Sequence, residues 1–417
     1  MAKRSRNKKR GGIIALIVIG SIIGCIALFA GIIAIINVSF YNGHIDMIKE
    51  ITPVGTSSKY EPILDEENNA WTFVTDEDFK VMQLTDIHIG GGAFSNWKDD
   101  MAINAVAKMI QAEKPDLVIA TGDIAYPVPF QTGTFNNKKE AEIFATLMEQ
   151  LDVYWAVVFG NHDTEIYSYY SREDISNVYS EDRWEHCLFL SGDSDVDGYG
   201  NYSINVQSSK GITTHTYILM DSHAYIDTDK FGIKWDYDNI HENQVEWYRK
   251  TIERVNRENL AAFENLSIVE KGLYLASIGA TTLPTVQSSL FFHIPLVEYK
   301  DAWTEYQQNG YKDTEDMQYI TGKMGEENEM VCCGVGEDNL FETVLELGST
   351  KNIFCGHDHL NNIRMRYKGV YLNYGMSIDH LAYPGIWKQT EQRGCTVIMT
   401  DTKGNLTVSL NKLTDYE

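Results

Sequence analysis

Five short groups of aspartate, histidine and asparagine lie along this chain, each at the end of a brief apolar run. Asp86-Ile87-His88 follows the run 80–84, and Gly122-Asp123 follows 116–120. Gly160-Asn161-His162-Asp163 follows 153–158, His293 closes 290–293, and Gly356-His357-Asp358-His359 follows 352–355. Runs of this length bounded by glycine and polar residues predict strands. Asp, His and Asn are donors for divalent or trivalent transition metals. Such groups at successive strand ends require a fold that brings those ends to one edge. In Asp86-Ile87-His88 and His357-Asp358-His359, the alternation of an extended chain would send the outer two side chains the same way.

Helical periodicity fills the intervals at 101–112, 139–151 and 242–256. Further strands are expected near 202–206 and 215–220, and several between 364 and 410. This alternation predicts an α/β sandwich. Segments 258–288 and 308–336 carry no clear pattern. They flank the strand ending at His293 and are expected to form lids over the site.

Residues 13–36 carry no charge. As a helix they span roughly 36 Å, enough to cross a bilayer. Six of the 35 basic residues lie in the first ten positions, and such cationic flanks stay in the cytoplasm. The expected order is therefore a basic cytoplasmic tail (1–12), a transmembrane helix (13–36), a stalk and lead-in (37–75) and an extracytoplasmic domain (76–417). A cleaved signal peptide is the main rival, but the apolar run is long for one. A lipoprotein signal with Cys25 as the lipidated residue is a second rival. The formal net charge is −24, and with the basic residues concentrated at the start the remainder is strongly acidic, which excludes nucleic acid as a partner. Six cysteines without zinc-finger spacing do not build a disulfide framework. Buried thiols or one long-range disulfide are both compatible with them.

The blocks DxH, GDxxY (Gly122 to Tyr126), GNHD, an isolated His and GHDH resemble the calcineurin-like metallophosphoesterase superfamily. The branch resembled is the one related to purple acid phosphatases, and the resemblance covers about residues 78–375. It implies the four-layer αββα sandwich of that superfamily. It also implies two metal ions, Mn, Fe or Zn. One would be held by Asp86, His88, Asp123 and His359, the other by Asp123, Asn161, His293 and His357. The implied activity is phosphate monoester hydrolysis by a hydroxide bridging the two ions. His162 would protonate the leaving oxygen and Asp163 would orient His162. Tyr126 is expected as a pocket wall, because His88 can take the position that the tyrosine fills in purple acid phosphatases. Asp358 should point away from the ions. His223 could line the pocket and Arg364 could bind a substrate oxygen. The alternatives are a phosphodiesterase acting on nucleotides, lipid head groups or cell-wall polymers, and a binding module without catalysis.

Overall fold

Strands buried on both faces read as near-continuous apolar runs, and those at Leu117–Thr121 and Tyr154–Val158 do so. In this computed structural model, which describes residues 2–336 and 338–416, the strands form two sheets. The smaller has the order β14 (Leu406–Lys412), β13 (Gly394–Thr400), β3 (Phe79–Leu84), β4 (Leu117–Thr121) and β5 (Tyr154–Val158). The larger runs β1 (Ile63–Asp65), β2 (Ala70–Val74), β6 (Tyr202–Gln207), β7 (Thr213–Leu219), β8 (Gln287–Phe291), β10 (Thr350–Cys355), β12 (Val370–Tyr374), β11 (Arg364–Tyr367) and β9 (Met317–Thr321). Strands β3, β4 and β5 are parallel, as are β7, β8, β10 and β12. The sheets face each other: Phe79 of β3 stacks on Tyr217 of β7 at 6.4 Å, and the Gln83 amide donates to the Cys355 carbonyl at 3.1 Å.

Helices cover both outer faces. On the smaller sheet lie α2 (Asn96–Glu113) and α4 (Asn137–Leu151), with α5 (Arg172–Tyr179) alongside. Helix α2 turns Ala102, Ile103, Val106 and Ile110 inward at helical spacing. On the larger sheet, α6 (Glu242–Glu264), α8 (Val297–Gln308) and α9 (Leu340–Leu347) bury a second apolar cluster that includes Tyr248, Tyr299 and Leu340. The architecture is the expected αββα sandwich. A short turn of helix, α3 (Pro129–Thr132), precedes α4.

Helix α1 (Ala2–Lys49) is continuous and is long and apolar enough to cross a membrane. Its last turns are no stalk. The Asn37 amide donates to Gly133 O at 2.9 Å and accepts from Ala93 N at 2.8 Å, Tyr41 donates to Glu142 at 3.1 Å, and His44 and Ile48 are buried. Residues 63–74 supply two strands of the larger sheet, so most of 37–75 belongs to the folded domain. All six cysteines are free thiols.

Of the two segments expected to flank the site, one lies away from it and one adjoins it. Helix α7 (Ile268–Ile278), within 258–288, buries none of its residues. Its Tyr274 and Ile278 line a cleft with Thr213 and Asn405, at the amino ends of β7 and β8, away from the strand ends that carry the donors. Segment 308–336 does adjoin them: Cys332 N donates to Asp358, and Leu360 N donates to Glu326 at 2.9 Å.

Candidate metal centre

The carboxyl ends of β3, β4, β5, β8 and β10 meet at one edge, where ligands bind in open α/β sheets. Donor atoms of Asp86, His88, Asp123 and His359 lie within 4.8 Å of one another, and so do those of Asp123, His293 and His357. All six of these side chains are buried, and Asp123 belongs to both groups. Its Oδ2 is 3.1 Å from His293 Nε2 and 3.4 Å from His88 Nε2, while His359 Nε2 is 3.5 Å from Asp86 Oδ1. Asn161 is buried next to them. Its amide N–H donates to Tyr225 at 3.1 Å, and its Oδ1 has no partner.

Strand alternation is not what makes these side chains converge. Asp86, His88, Asp123 and His357 all have left-handed backbone, with φ of 51°, 52°, 52° and 76°. Each such residue costs on the order of 1 kcal/mol or more, and strain of this kind collects at functional sites. Glycine permits the crowding at two points. A Cβ on Gly160 would lie 2.1 Å from Asp123 Oδ1, and one on Gly356 would lie 1.9 Å from Thr85 Oγ1.

The donor set fits metal. His293 Nδ1 donates to Thr121 O at 2.8 Å, which leaves the Nε2 lone pair facing His357 Nδ1 at 3.2 Å. Two imidazole nitrogens at that distance, beside the orphaned Asn161 oxygen, call for a cation or a proton between them. The electrostatics agree. Burial would raise Asp123, but His293, His162 and His88 hold it well below the usual carboxylate range. Burial would lower His88, yet Asp379 and Asp123 raise it to about 10. The carboxylates therefore demand positive charge in the cluster.

Asp379 carries no motif signal. It lies on an irregular segment beyond β12, and its two oxygens sit 3.2 Å from His88 Nδ1 and 3.1 Å from His359 Nδ1. A carboxylate behind two histidines of a metal site fixes their orientation and raises their basicity.

The expected role of Asp163 is corrected. Its carboxylate accepts from the backbone N–H of Asp123 (3.0 Å), Ala125 (2.8 Å) and Gly160 (2.7 Å), and so it pins two strand-end loops together. His162 is held by Glu165 instead, with Nδ1 donating to Oε1 at 2.7 Å. Its side chain is 22% exposed, and Nε2 has no partner among the described residues. The spacing of three residues across one helical turn was the available signal for Glu165. Tyr126 is a wall: its ring lies 4.8 Å from His88 and its hydroxyl meets Gln131. Tyr237 against His357 and Tyr383 stacked on His359 extend that wall. Asp358 points away, accepting from Tyr374 at 2.6 Å. His223 Nε2 is bonded to Gln244, and Arg364 donates to Asn373 and lies over Tyr371, away from the cluster.

A two-sheet sandwich with buried His and Asp donors at its strand ends defines a metal-dependent phosphoesterase. Residues 79–361 match the model of the calcineurin-like phosphoesterase family, and the chain belongs to that family. It is 24% identical over 339 residues to "Probable inactive purple acid phosphatase 28" of Arabidopsis thaliana, covering 75% of this chain and 73% of that one. It is 28% identical over 317 residues to phosphatase DCR2 of Saccharomyces cerevisiae, covering 70% of this chain and 46% of that protein. Among solved structures, phosphopantetheinyl hydrolase from Mycobacterium tuberculosis aligns with a TM-score of 0.35 at 13% identity, covering 76% of this chain and 93% of the other. The chain is a phosphoric ester hydrolase whose buried cluster is able to bind metal.

Proposed function

We propose that the chain is a membrane-anchored phosphomonoesterase working with two metal ions. Asp86, His88, Asp123 and His359 would hold one ion. Asp123, Asn161, His293 and His357 would hold the other. The observation that carries this reading is the sharing of Asp123 between two buried donor groups. When bound, such ions supply Lewis acidity toward phosphoryl oxygens and acidify coordinated water.

The chain's own residues do the rest. His162, with Nδ1 fixed by Glu165 and Nε2 free, gives a proton to the leaving oxygen. Asp379 keeps His88 and His359 turned inward. The rings of Tyr126, Tyr237 and Tyr383 wall the cluster against His88, His357 and His359, which would favour a small terminal phosphate group. The diesterase reading has one observation in its favour: a cleft of about 610 Å³ lined by Glu165, Tyr225 and His223 beside His162, with room for a second ester substituent. The three plant relatives are named inactive, whereas this chain has two buried donor groups that could hold metal, which supports an active reading.

Residues 13–36 would anchor the protein, with the basic N-terminus in the cytoplasm and the domain outside. Docking of Asn37, Tyr41, His44 and Ile48 onto the domain supports a helix retained in the mature protein.

The test is turnover of p-nitrophenyl phosphate and bis-p-nitrophenyl phosphate with Mn, Zn or Fe, beside Asp123→Asn. Metal-dependent turnover that the substitution abolishes, faster on the monoester, is expected. A faster diester rate would favour the second reading. A folded protein that binds two ions and hydrolyses neither ester would refute both.

A further inference from the structure

Helices α1, α2 and α4 run side by side in one direction. Asn37 meets Ala93 and Gly133, just ahead of α2 and α4. At the far end, Gln111 donates to Thr52 O and Gln150 donates to Ile51 O, each at 2.8 Å. The apolar part of α1 therefore leaves the domain at the edge where β3 and β4 deliver Asp86, His88 and Asp123. Ala93, bonded to the residue that ends the apolar span, is five residues from His88. That is at most roughly 18 Å of chain. A bilayer that held residues 13–36 would lie over the metal-cluster edge, with its head groups within reach of the site.

The surface at that edge is suited to a bilayer. Phe130, on the helical turn α3 that ends at the Gly133 receiving Asn37, is 95% exposed, and Phe94, whose N–H donates to Thr132 O, is exposed as well. Trp97 and Trp387 pair at 5.2 Å, each with a lysine (Lys98, Lys388) over its ring. Across the mouth, Tyr225 and Tyr237 bracket a loop whose tip exposes Phe231, Ile233 and Trp235, with Lys234 between the last two. Aromatic rings mixed with lysine are the composition that settles at a membrane interface.

We propose that the domain sits with its metal-cluster edge against the bilayer, and that its substrate is a phosphate ester carried by a lipid of that bilayer. This rests on residues 13–36 being a membrane anchor. It narrows the substrate class for the proposed hydrolysis to lipids with a terminal phosphate.

The test uses the full chain in dioleoylphosphatidylcholine vesicles with a minor fraction of dioleoylphosphatidic acid. Flotation reads the anchor. Photoreactive p-benzoylphenylalanine in place of Phe130 reads the apposition. The same replacement at Leu273, 63% exposed on α7 at the opposite end, is the control. Turnover of dioleoylphosphatidic acid against its water-soluble dibutyryl analogue at equal bulk concentration reads the substrate class. The expected result is flotation, lipid adducts at 130 and none at 273, and a lipid-to-soluble ratio of roughly a hundred from confinement to one surface. Phe130→Asp with Phe231→Asp should lower that ratio roughly tenfold or more, since each ring loses its burial.

No flotation would overturn the anchor and this proposal with it. Flotation with adducts at 273 instead of 130 would overturn the apposition and leave the anchor standing. Adducts at 130 with a ratio near unity would overturn the lipid substrate. Turnover of neither ester would refute the hydrolysis, while the adducts would still decide the orientation.

Discussion

At the residue scale, three carboxylates near His162 do different work, and substitution separates them. Asp163 satisfies three backbone N–H groups of two loops. Asp163→Asn puts an amide donor among donors. It should cost about 2–3 kcal/mol and loosen metal binding, read by thermal unfolding and by metal content after dialysis. Glu165 reaches the site with one oxygen, through His162 Nδ1 and the Tyr225 hydroxyl. Glu165→Gln keeps an acceptor for Nδ1 but removes the charge. The expected outcome is full metal occupancy, an unchanged unfolding temperature and a kcat lower by about 10–100-fold. Equal loss of metal in both variants would contradict this division. Asp379 is the third. Asp379→Asn leaves one of its two histidines facing an amide N–H, so affinity for one ion should fall about 10–100-fold while the other is retained. Metal titration followed by calorimetry would resolve the two steps.

The element scale shows what the sequence could and could not reveal. Strands β3, β4, β5 and β10 are legible because burial on both faces leaves mostly apolar runs bounded by glycine and polar residues, and each expected range agrees with the structure to within two residues. The donors were legible because they come in blocks after those strands. Asp379 escaped because it acts through other side chains and needs no fixed spacing from them, and Glu165 because its only mark was a three-residue spacing from His162 in a segment with no helical pattern. The left-handed turns at Asp86 and His88 were hidden as well: Asp and His tolerate positive φ more often than other side chains, but most of them still adopt negative φ, so the residue type alone does not mark the turn. Helix α6 extends to Glu264, beyond the expected 256, because its last turns bury little beyond Asn259 and so carry no apolar periodicity toward the core. The docking of α1 was masked by the apolar run that precedes it, where every position is hydrophobic and no face stands out. That docking has a measurable consequence. A chain starting at residue 37 keeps Asn37, Tyr41, His44 and Ile48 and should unfold as a stable, water-soluble domain. A chain starting at residue 51 loses them and uncovers apolar surface on α4. It should be less stable by about 2–4 kcal/mol, seen in urea unfolding, and prone to aggregate. Equal stability of the two chains would mean that α1 ends functionally at the membrane.

On the scale of the whole molecule, the sandwich has two unlike ends. One holds strained backbone and buried charge that metal must balance. The other is closed by ordinary packing and by one buried histidine. His215 of β7 donates from Nδ1 to Gly404 O, in the turn between β13 and β14, at 2.9 Å, and its Nε2 lies 3.0 Å from the Ser289 hydroxyl of β8. It thus ties the two sheets together far from the cluster. Burial pushes its pKa down to about 4. The folded chain keeps this imidazole neutral, whereas the unfolded chain takes up a proton near pH 6.5. Between those values the unfolded state binds more protons, so stability is present above about pH 6.5 and is lost as pH falls toward 4. By pH 5 the loss from this one group amounts to about 2 kcal/mol. Metal ligands also take up protons over this range, but they do so equally in a protein differing only at His215. The informative quantity is therefore the stability difference between the wild type and His215→Gln, measured by urea unfolding at both pH values with the same metal present. That difference should shrink by about 2 kcal/mol from pH 7.5 to pH 5, because the glutamine carries no proton to gain. A constant difference would show that acid weakens the fold through the metal end alone, and that His215 contributes packing without linkage.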